Sequence, residues 1–263
     1  ELAKNPVRVD CDVDASNFYL FYEGEVLKDK GFSGGKVARI DTNLCTQCGL
    51  CEEKCKFDAI KDFVVDPARC EGCGVCKLVC PSKAVIFEDY ESARIYIEKL
   101  QDGLICRANM EPGSEGSVKL VTDLRKTSLD FAEDDSLVIS DGSPGIGCQV
   151  IASVTNIDTA LIVTEPTMSA LHDFLRIVEL CKFFGAQVMV CINKCDLNES
   201  VSSEIEKYCE SNNIEVVGKI PYDSVVMQSI NELKPIVYYE NSIANKAIRK
   251  MWQVIKLKIE DNK

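Results

Sequence analysis

Residues 137–147 read LVISDGSPGIG. A short apolar run delivers Asp141 into a turn built on Gly142, Gly145 and Gly147. A strand that ends in an acid and a glycine-rich turn is one way to hold a magnesium ion and sense a terminal phosphate. The complement of such a half-site is a GxxxxGK[ST] loop, whose backbone N–H groups and lysine cradle phosphates. No such loop occurs in the 263 residues. Gly34-Gly35-Lys36 comes nearest, but Val37 stands where a magnesium-binding hydroxyl is required and no apolar strand leads into it. That stretch reads as a flexible turn.

Outward from Asp141, apolar runs of strand length at 7–9, 137–139, 160–163, 188–192 and 216–220 alternate with helical stretches around 117–128, 167–184, 202–212 and 242–259. This rhythm predicts an α/β fold, a mostly parallel sheet covered by helices, with strands buried on both faces. Ligands in such folds sit at the carboxyl ends of the strands. The loops there read Asp10-Cys11-Asp12, then Asp141-Gly142-Ser143-Pro144-Gly145, Thr164-Glu165-Pro166-Thr167, Asn193-Lys194-Cys195-Asp196 and Ile220-Pro221-Tyr222-Asp223.

Composition narrows the function. With 27% charged and 46% hydrophobic residues the chain is globular rather than disordered. A formal charge of -12 argues against a nucleic-acid partner, which needs clustered Lys and Arg. No run of about 18 apolar residues spans a membrane, and the opening residues carry no signal-peptide pattern. Fifteen cysteines, an odd number, eight of them within 45–80, point to metal and a reducing cytoplasm rather than to disulfides.

Those eight form two copies of C-x2-C-x2-C-x3-C, CTQCGLCEEKC from Cys45 and CEGCGVCKLVC from Cys70. A shift of 25 residues also superposes Asp41 on Asp66, Gly49 on Gly74 and Ala59 on Ala84. Structural zinc, the alternative, usually spaces two close pairs far apart. The spacing resembles that of bacterial two-cluster ferredoxins, in which the fourth cysteine of each run crosses to the other cubane. The resemblance implies two 4Fe-4S clusters, one on Cys45, Cys48, Cys51 and Cys80, the other on Cys70, Cys73, Cys76 and Cys55. Pro81 follows the second run as in that family, whereas Lys56 replaces the first run's proline.

Taken in order, VDCDVDASN, the eight cysteines, DGSPGIGCQVIASV, VTEPT, INKCDL and GKIPYD resemble the MinD superfamily of P-loop ATPases, in its members with an inserted ferredoxin domain. The resemblance implies a P-loop-type α/β domain over 1–36 and 89–263, interrupted by a ferredoxin domain at 37–88. In that family a KGGxGKT-type loop precedes the strand ending in DxD. Residues 1–4 read as the tail of the helix after it, so the loop is expected upstream and the chain reads as N-terminally truncated.

Carried over residue by residue, Asp12 matches the acid that positions the attacking water and Asp141 the acid that holds Mg2+. Gly145 matches the switch glycine that contacts the terminal phosphate, Asn193 an adenine-binding side chain, and the loop of Pro221 and Asp223 a wall of the base pocket. NKxD at 193–196 is also the guanine-reading motif of GTPases; the resemblance favours ATP. The bland reading of Asp196 is a cap on the next helix. Of the other seven cysteines most read as core, with Cys148, just after the switch turn, as a candidate redox group. His172 reads as a surface residue. The apolar stripe of Ile243, Ile248, Met251, Trp252 and Ile255 reads as a sheet-packing helix rather than a membrane tail.

The implied function is an ATP-binding, nucleotide-switched protein that passes electrons through two 4Fe-4S clusters to a redox partner protein, with a nucleotide-dependent homodimer as the assembly. The alternatives are an iron-sulfur assembly or carrier ATPase, and an electron-transfer module with a vestigial nucleotide site.

Overall fold

The computed structural model describes residues 1–111 and 116–261. The chain enters through β1 (Val7–Asp10) and returns in β2 (Glu25–Ile40), which climbs out of the body. A small head follows: α1 (Leu50–Lys54), the hairpin β3 (Ile60–Lys61) and β4 (Val64–Val65), and α2 (Val75–Val79). β5 (Val85–Leu100) descends beside β2, and β6 (Gly103–Met110), α3 (Ser117–Leu129), β7 (Val138–Asp141) and α4 (Cys148–Val154) complete the first half of the body. The second half is β8 (Thr159–Thr164), α5 (Met168–Phe183), β9 (Gln187–Asn193), α6 (Glu199–Ser211), β10 (Glu215–Ile220), α7 (Ser224–Asn231) and α8 (Ile243–Asp261).

The strands form a five-stranded sheet in the order β2-β5-β6-β1-β7 and a three-stranded sheet in the order β10-β9-β8. Pairing is parallel for β6-β1-β7 and β8-β9-β10, and antiparallel for β2-β5 and β5-β6. The expected α/β architecture is present, with one addition that periodicity did not reveal. β2 and β5 pair from Glu25↔Lys99 to Ile40↔Val85, with register shifts at 26/28 and within 32–35 but none at 36/37 or 88/89, so the head is carried on a two-stranded stalk. Their sequences are rich in charge, with Arg39–Glu88 and Arg94–Asp29 pairs at 2.6 and 2.8 Å, because an exposed ladder needs no apolar face.

Three expectations are corrected. Gly34-Gly35-Lys36 is not a turn but lies inside β2 at register shifts opposite Glu91 and Tyr90. The Gly34 amide donates to Ser92 Oγ at 3.0 Å, and a Cβ on Gly116 would stand 2.7 Å from Gly34 Cα, so glycine lets α3 approach the stalk. Residues 1–4 are not helical, and Asn5, held at φ 45° before Pro6, prevents a helix from running into β1. Burial on both faces describes β1 and most of β9 but not β7 or β8. These two are edge strands of their sheets, and Ile139, Leu161 and Val163 are exposed on them.

Two large cores hold the body. One joins Val7, Val9, Ile95, Ile97 and Cys106 to Leu120 and Leu124 of α3; the other joins Phe174 and Val178 of α5 to Val190, Ile192 and Ile205. As expected, α8 packs on the sheet, Met251, Trp252 and Ile255 lying against Met189 and Val217. Among the described residues no helix is long and apolar enough to cross a membrane.

Candidate functional site

In the head, the duplicated sequence folds as a duplicated structure. Gly49 and Gly74 open α1 and α2 at φ 78° and 83°, a backbone conformation that suits glycine and turns each cysteine run inward. Cys45, Cys48, Cys51 and Cys80 line one cavity, walled by Ile40, Phe63 and Val85. The second run's Cys80 thus joins the first run's triplet. Among the described residues no three such side chains converge on a single ion position. The thiols ring a space instead, as four thiolates on separate iron corners would. Cys55, Cys70 and Cys76 belong to the same small core. Backbone amides point at four of the cysteine sulfurs: Ala59 to Cys55 at 3.4 Å, Ala84 to Cys80 at 3.3 Å, Gln47 to Cys45 at 3.4 Å and Ala38 to Cys70 at 3.5 Å. Such N–H···S contacts stabilise thiolate and raise a cluster's potential. Lys56 is exposed.

In the body, the acids meet at the carboxyl ends of adjacent strands. Asp10 and Asp141 are register partners on β1 and β7, and the Cys11 amide donates to the Asp141 carbonyl at 2.8 Å. Asp10 is buried and organises the following loop, accepting from Ser16 Oγ at 2.8 Å and the Phe18 amide at 3.1 Å. That leaves Asp12 half-buried, facing Ser143, whose hydroxyl lies 3.2 Å from Asp12 Oδ1 and 3.0 Å from Gln149 Oε1. Gln149 Nε2 in turn donates to Asp14 at 2.5 Å. The two loops are therefore tied across the site by Ser143 and Gln149. Both residues stood in the quoted motif without a role, because only the fold sets them against Asp12 and Asp14.

Gly145 has φ 87° and open space around it, as a loop that must pass close to a ligand requires. The Asp141 side chain reaches an open surface, yet desolvation by the strands around its base, together with the Asp10 and Asp12 carboxylates, pushes its pKa above the usual carboxylate range. A cation is the natural complement of this acidic corner.

The base-side residues lie at the ends of β9 and β10. Asn193 Nδ2 stands 3.5 Å from Glu165 Oε1, which Lys194 also pairs at 2.8 Å. Asp196 does not cap α6, whose cap is Asn198; it accepts the Tyr222 amide at 2.7 Å and so holds the Pro221 loop on the 193–196 loop. Asp223 accepts the Val225 amide at 3.0 Å, Ser242 Oγ at 2.6 Å and the Ala244 amide at 3.2 Å. These bonds hold its carboxyl below the usual range, Ser242 first. Both of its oxygens are thus engaged in joining α7 to α8. Cys11 and Cys106 are fully buried, and burial pushes both thiols up to about 12. Cys148 is exposed at the start of α4, and His172 is exposed on α5.

The segment after Asp12 is strapped to the stalk. Arg107 on β6 lies between the rings of Tyr19 and Tyr96, 4.6 and 4.4 Å from their centroids, and donates to Glu98 at 2.7 Å. Arg8, buried in β1, pairs with Asp102 at 3.0 Å and lies 4.9 Å from the Tyr22 ring. No pattern in the sequence marks this clamp, since its partners come from four separate segments.

Fold and site define a nucleotide-binding type of α/β domain that carries a ferredoxin-like head. A profile described as the ParA family, NUBPL iron-transfer P-loop NTPase, matches residues 91–256, and a 4Fe-4S binding domain matches at 38–61 and again at 63–86. The chain belongs to this ParA-type family of iron-transfer P-loop NTPases, with 4Fe-4S binding domains inserted. An uncharacterized protein of Methanocaldococcus jannaschii is 32% identical over 252 residues, 96% of this chain and 86% of that protein. An iron-sulfur cluster carrier protein of Pyrococcus horikoshii is 28% identical over 159 residues, 55% of this chain and 51% of that protein. Among solved structures, the septum site-determining protein MinD of Pyrococcus horikoshii, complexed with Mg-ADP, superposes with a TM-score of 0.58 at 15% identity over 96% of this chain and 83% of its own. At that identity the likeness establishes the fold.

Proposed function

We propose that the protein couples ATP-dependent changes in the loops of Asp12 and Gly145 to one-electron transfer through two 4Fe-4S clusters. In this reading Asp141 holds Mg2+ and Asp12 positions the attacking water. Gly145 contacts the terminal phosphate, and Asn193 and the Pro221–Asp223 loop receive the base. Cys45, Cys48, Cys51 and Cys80 hold one cluster; Cys70, Cys73, Cys76 and Cys55 hold the other.

One observation carries the reading: β5 lines the cysteine cavity at one end and reaches, through Arg107, the segment beyond the Asp12 loop. Its first residue, Val85, lines the cysteine cavity, and its Tyr96 stacks on the Arg107 that grips Tyr19, just beyond the Asp12 loop. Residues 85–96 span roughly 36 Å at ~3.3 Å per residue. Coupling in this reading therefore runs along the β2-β5 ladder rather than by direct contact. The head stands on the carboxyl side of the sheet, the side of Asp10 and Asp141, because β5 runs antiparallel to β6, and β6 parallel to β1. A redox partner protein meets the head, and a nucleotide-dependent homodimer is the assembly the fold suggests.

The test is the EPR spectrum of the reduced clusters with and without MgATP. It is run on the chain itself and on a fusion with a strand, GxxxxGK[ST] loop and helix placed ahead of Glu1. A nucleotide-dependent change that Asp141→Asn removes is the expected result. Tight nucleotide binding with an unchanged spectrum in the fusion would sink the coupling. The family's iron-transfer description and the Pyrococcus carrier relative favour a second reading, in which the clusters are cargo. Incubation with an apo-ferredoxin separates the two, since a carrier loses its clusters intact and an electron-transfer protein keeps them.

A further inference from the structure

The two cysteine runs share a backbone but not a surface. No residue in 42–51 is charged, and Thr42, Asn43, Leu44, Thr46, Gln47 and Cys48 are all exposed, Leu44 to 53%. The 25-residue shift sets Arg69 against Leu44 and Glu71 against Thr46. The stalk serves as a ruler for where each run lies. The second run meets β2 low down: Ala38 donates to Cys70 Sγ at 3.5 Å, and a Cβ on Gly72 would stand 2.5 Å from the Lys36 carbonyl oxygen. Its residues 70–72 share a cleft with Ser117, Val118 and Lys119 of α3. The first run's cavity reaches the stalk at Ile40 and Val85, its far end, roughly 13 Å beyond Lys36 at ~3.3 Å per residue. One run faces the body and the other faces away.

Building on the two-cluster electron-transfer reading, we propose that the cluster on Cys45, Cys48, Cys51 and Cys80 is the terminal one. The uncharged rim around Cys48, with Leu44 its most exposed apolar side chain, docks a one-electron redox protein whose own contact face is apolar and uncharged. Charge placement selects that partner. Residues 37–88 carry seven cationic and eight anionic side chains, and each oxidised cubane on its four thiolates adds about -2, so most of the negative charge still lies on the body. An acidic partner is repelled by the body and a basic one is drawn to it, away from the tip. Only a neutral face gains from covering Leu44. On contact one electron crosses: the terminal cluster is oxidised by one as the partner's centre is reduced by one, or the reverse. The inner cluster then re-equilibrates by one electron with the terminal cluster.

The test uses the full chain, anaerobically reconstituted, on electrodes coated with methyl-, carboxylate- or amine-terminated monolayers. Electron exchange is expected to be fastest on the methyl layer. Leu44→Glu should slow it there by roughly tenfold or more, the effect of forcing an unpaired carboxylate into the contact. Arg69→Glu, at the shift-related position, should change it by less than about twofold, and both variants should keep wild-type iron content and EPR spectra. Equal slowing by the two variants, or exchange fastest on a charged layer and indifferent to Leu44→Glu, overturns the proposal. A wild-type chain that assembles fewer than two clusters fails the underlying reading instead, and iron analysis shows this before any electrode is used. In a second measurement, a soluble gadolinium chelate should relax the cluster left in Cys55→Ser more strongly than the one left in Cys80→Ser; the opposite order overturns the assignment.

Discussion

The amide of Asp41 donates to the carbonyl of Ala84 at 2.8 Å, and its counterpart 25 residues on, Asp66, donates to Ala59 at 2.7 Å. The start of each half is thus bonded to the end of the other, and the halves interlock. The same exchange places Cys80 among Cys45, Cys48 and Cys51.

Interlocking predicts cross-damage. Anaerobically reconstituted protein should hold close to eight irons, as two cubanes of four. Cys80→Ala should damage the cluster of the first run, and Cys55→Ala that of the second. Mössbauer and EPR spectra of the variants check this; zinc as the bound metal, or a single cluster in the wild type, would refute the assignment.

Arg107 should matter to stability, because its side chain and that of Glu98 form a largely buried pair. Removing it strands Glu98, which is buried, and releases the rings of Tyr19 and Tyr96. Arg107→Ala should cost about 3 kcal/mol in urea unfolding, as expected when one partner of a buried pair is lost. The double variant Arg107→Met, Glu98→Met should recover much of that loss. Hydrogen exchange at residues 17–22 should rise in the single variant; a rise confined to β6 would show that the strap does not depend on the clamp.

Asp223 gives a pH signature. Its folded pKa lies below the ordinary aspartate value, because Ser242, Val225 and Ala244 donate to the carboxylate. The folded chain therefore binds this proton less readily than the unfolded one. The stabilisation is complete above the ordinary carboxylate range and is lost as pH falls through the folded value. Asp223→Ala should cost about 1–2 kcal/mol at neutral pH, a typical cap value. Its urea midpoint should converge on that of the wild type in acid, and a difference constant with pH would exclude the carboxylate as the source.

The nucleotide site should behave as a half-site. Asp12, Asp141 and Gly145 supply its magnesium and switch side, but no phosphate-cradling loop occurs in the sequence. The chain should therefore bind MgATP weakly and hydrolyse it negligibly, with its acidic charge opposing the polyphosphate. In the fusion that supplies the loop, Asp141→Asn should abolish hydrolysis, while Asp12→Asn slows turnover with binding largely intact. Asn193→Ala should weaken binding by about 1–3 kcal/mol, the cost of an unmade buried hydrogen bond. Calorimetry and phosphate release measure each arm; full hydrolysis by the unfused chain would contradict the half-site reading.

Much of this protein was legible in its sequence because the signals were local. Cysteine spacing, the 25-residue duplication and the apolar runs each lie within a short window, so they announced the head, its two halves and the parallel strands without tertiary information. The order of the carboxyl-end loops announced the family for the same reason. The stalk was hidden: β2 and the head-side part of β5 are charged and largely exposed, and their paired residues stand 45 apart at Ile40↔Val85 and 74 apart at Glu25↔Lys99, a distance that no local window sees. No hydrophobic period marks its head-side part, because no residue of β5 between 86 and 91 and few of β2 are buried; the buried positions of β5 from 92 onward belong to the body.

Tertiary structure alone decided how the sites are joined and which residues are spent on structure. Asp10 and Asp12 look alike in the sequence, yet the first is buried and bonded to Ser16 and Phe18 while the second faces Ser143. Asp196 and Asp223 both read as ligand-binding or capping acids, and only the fold shows one holding the Tyr222 amide and the other joining α7 to α8. Leu44 and Arg69 are equivalent by the internal repeat, but the cavity of the first run meets the far end of the stalk, whereas residues 70–72 share a cleft with α3. The physical reason is common to all of these. Residue type and spacing fix what a side chain is able to bond, whereas packing between segments distant in sequence fixes which of those bonds is already made.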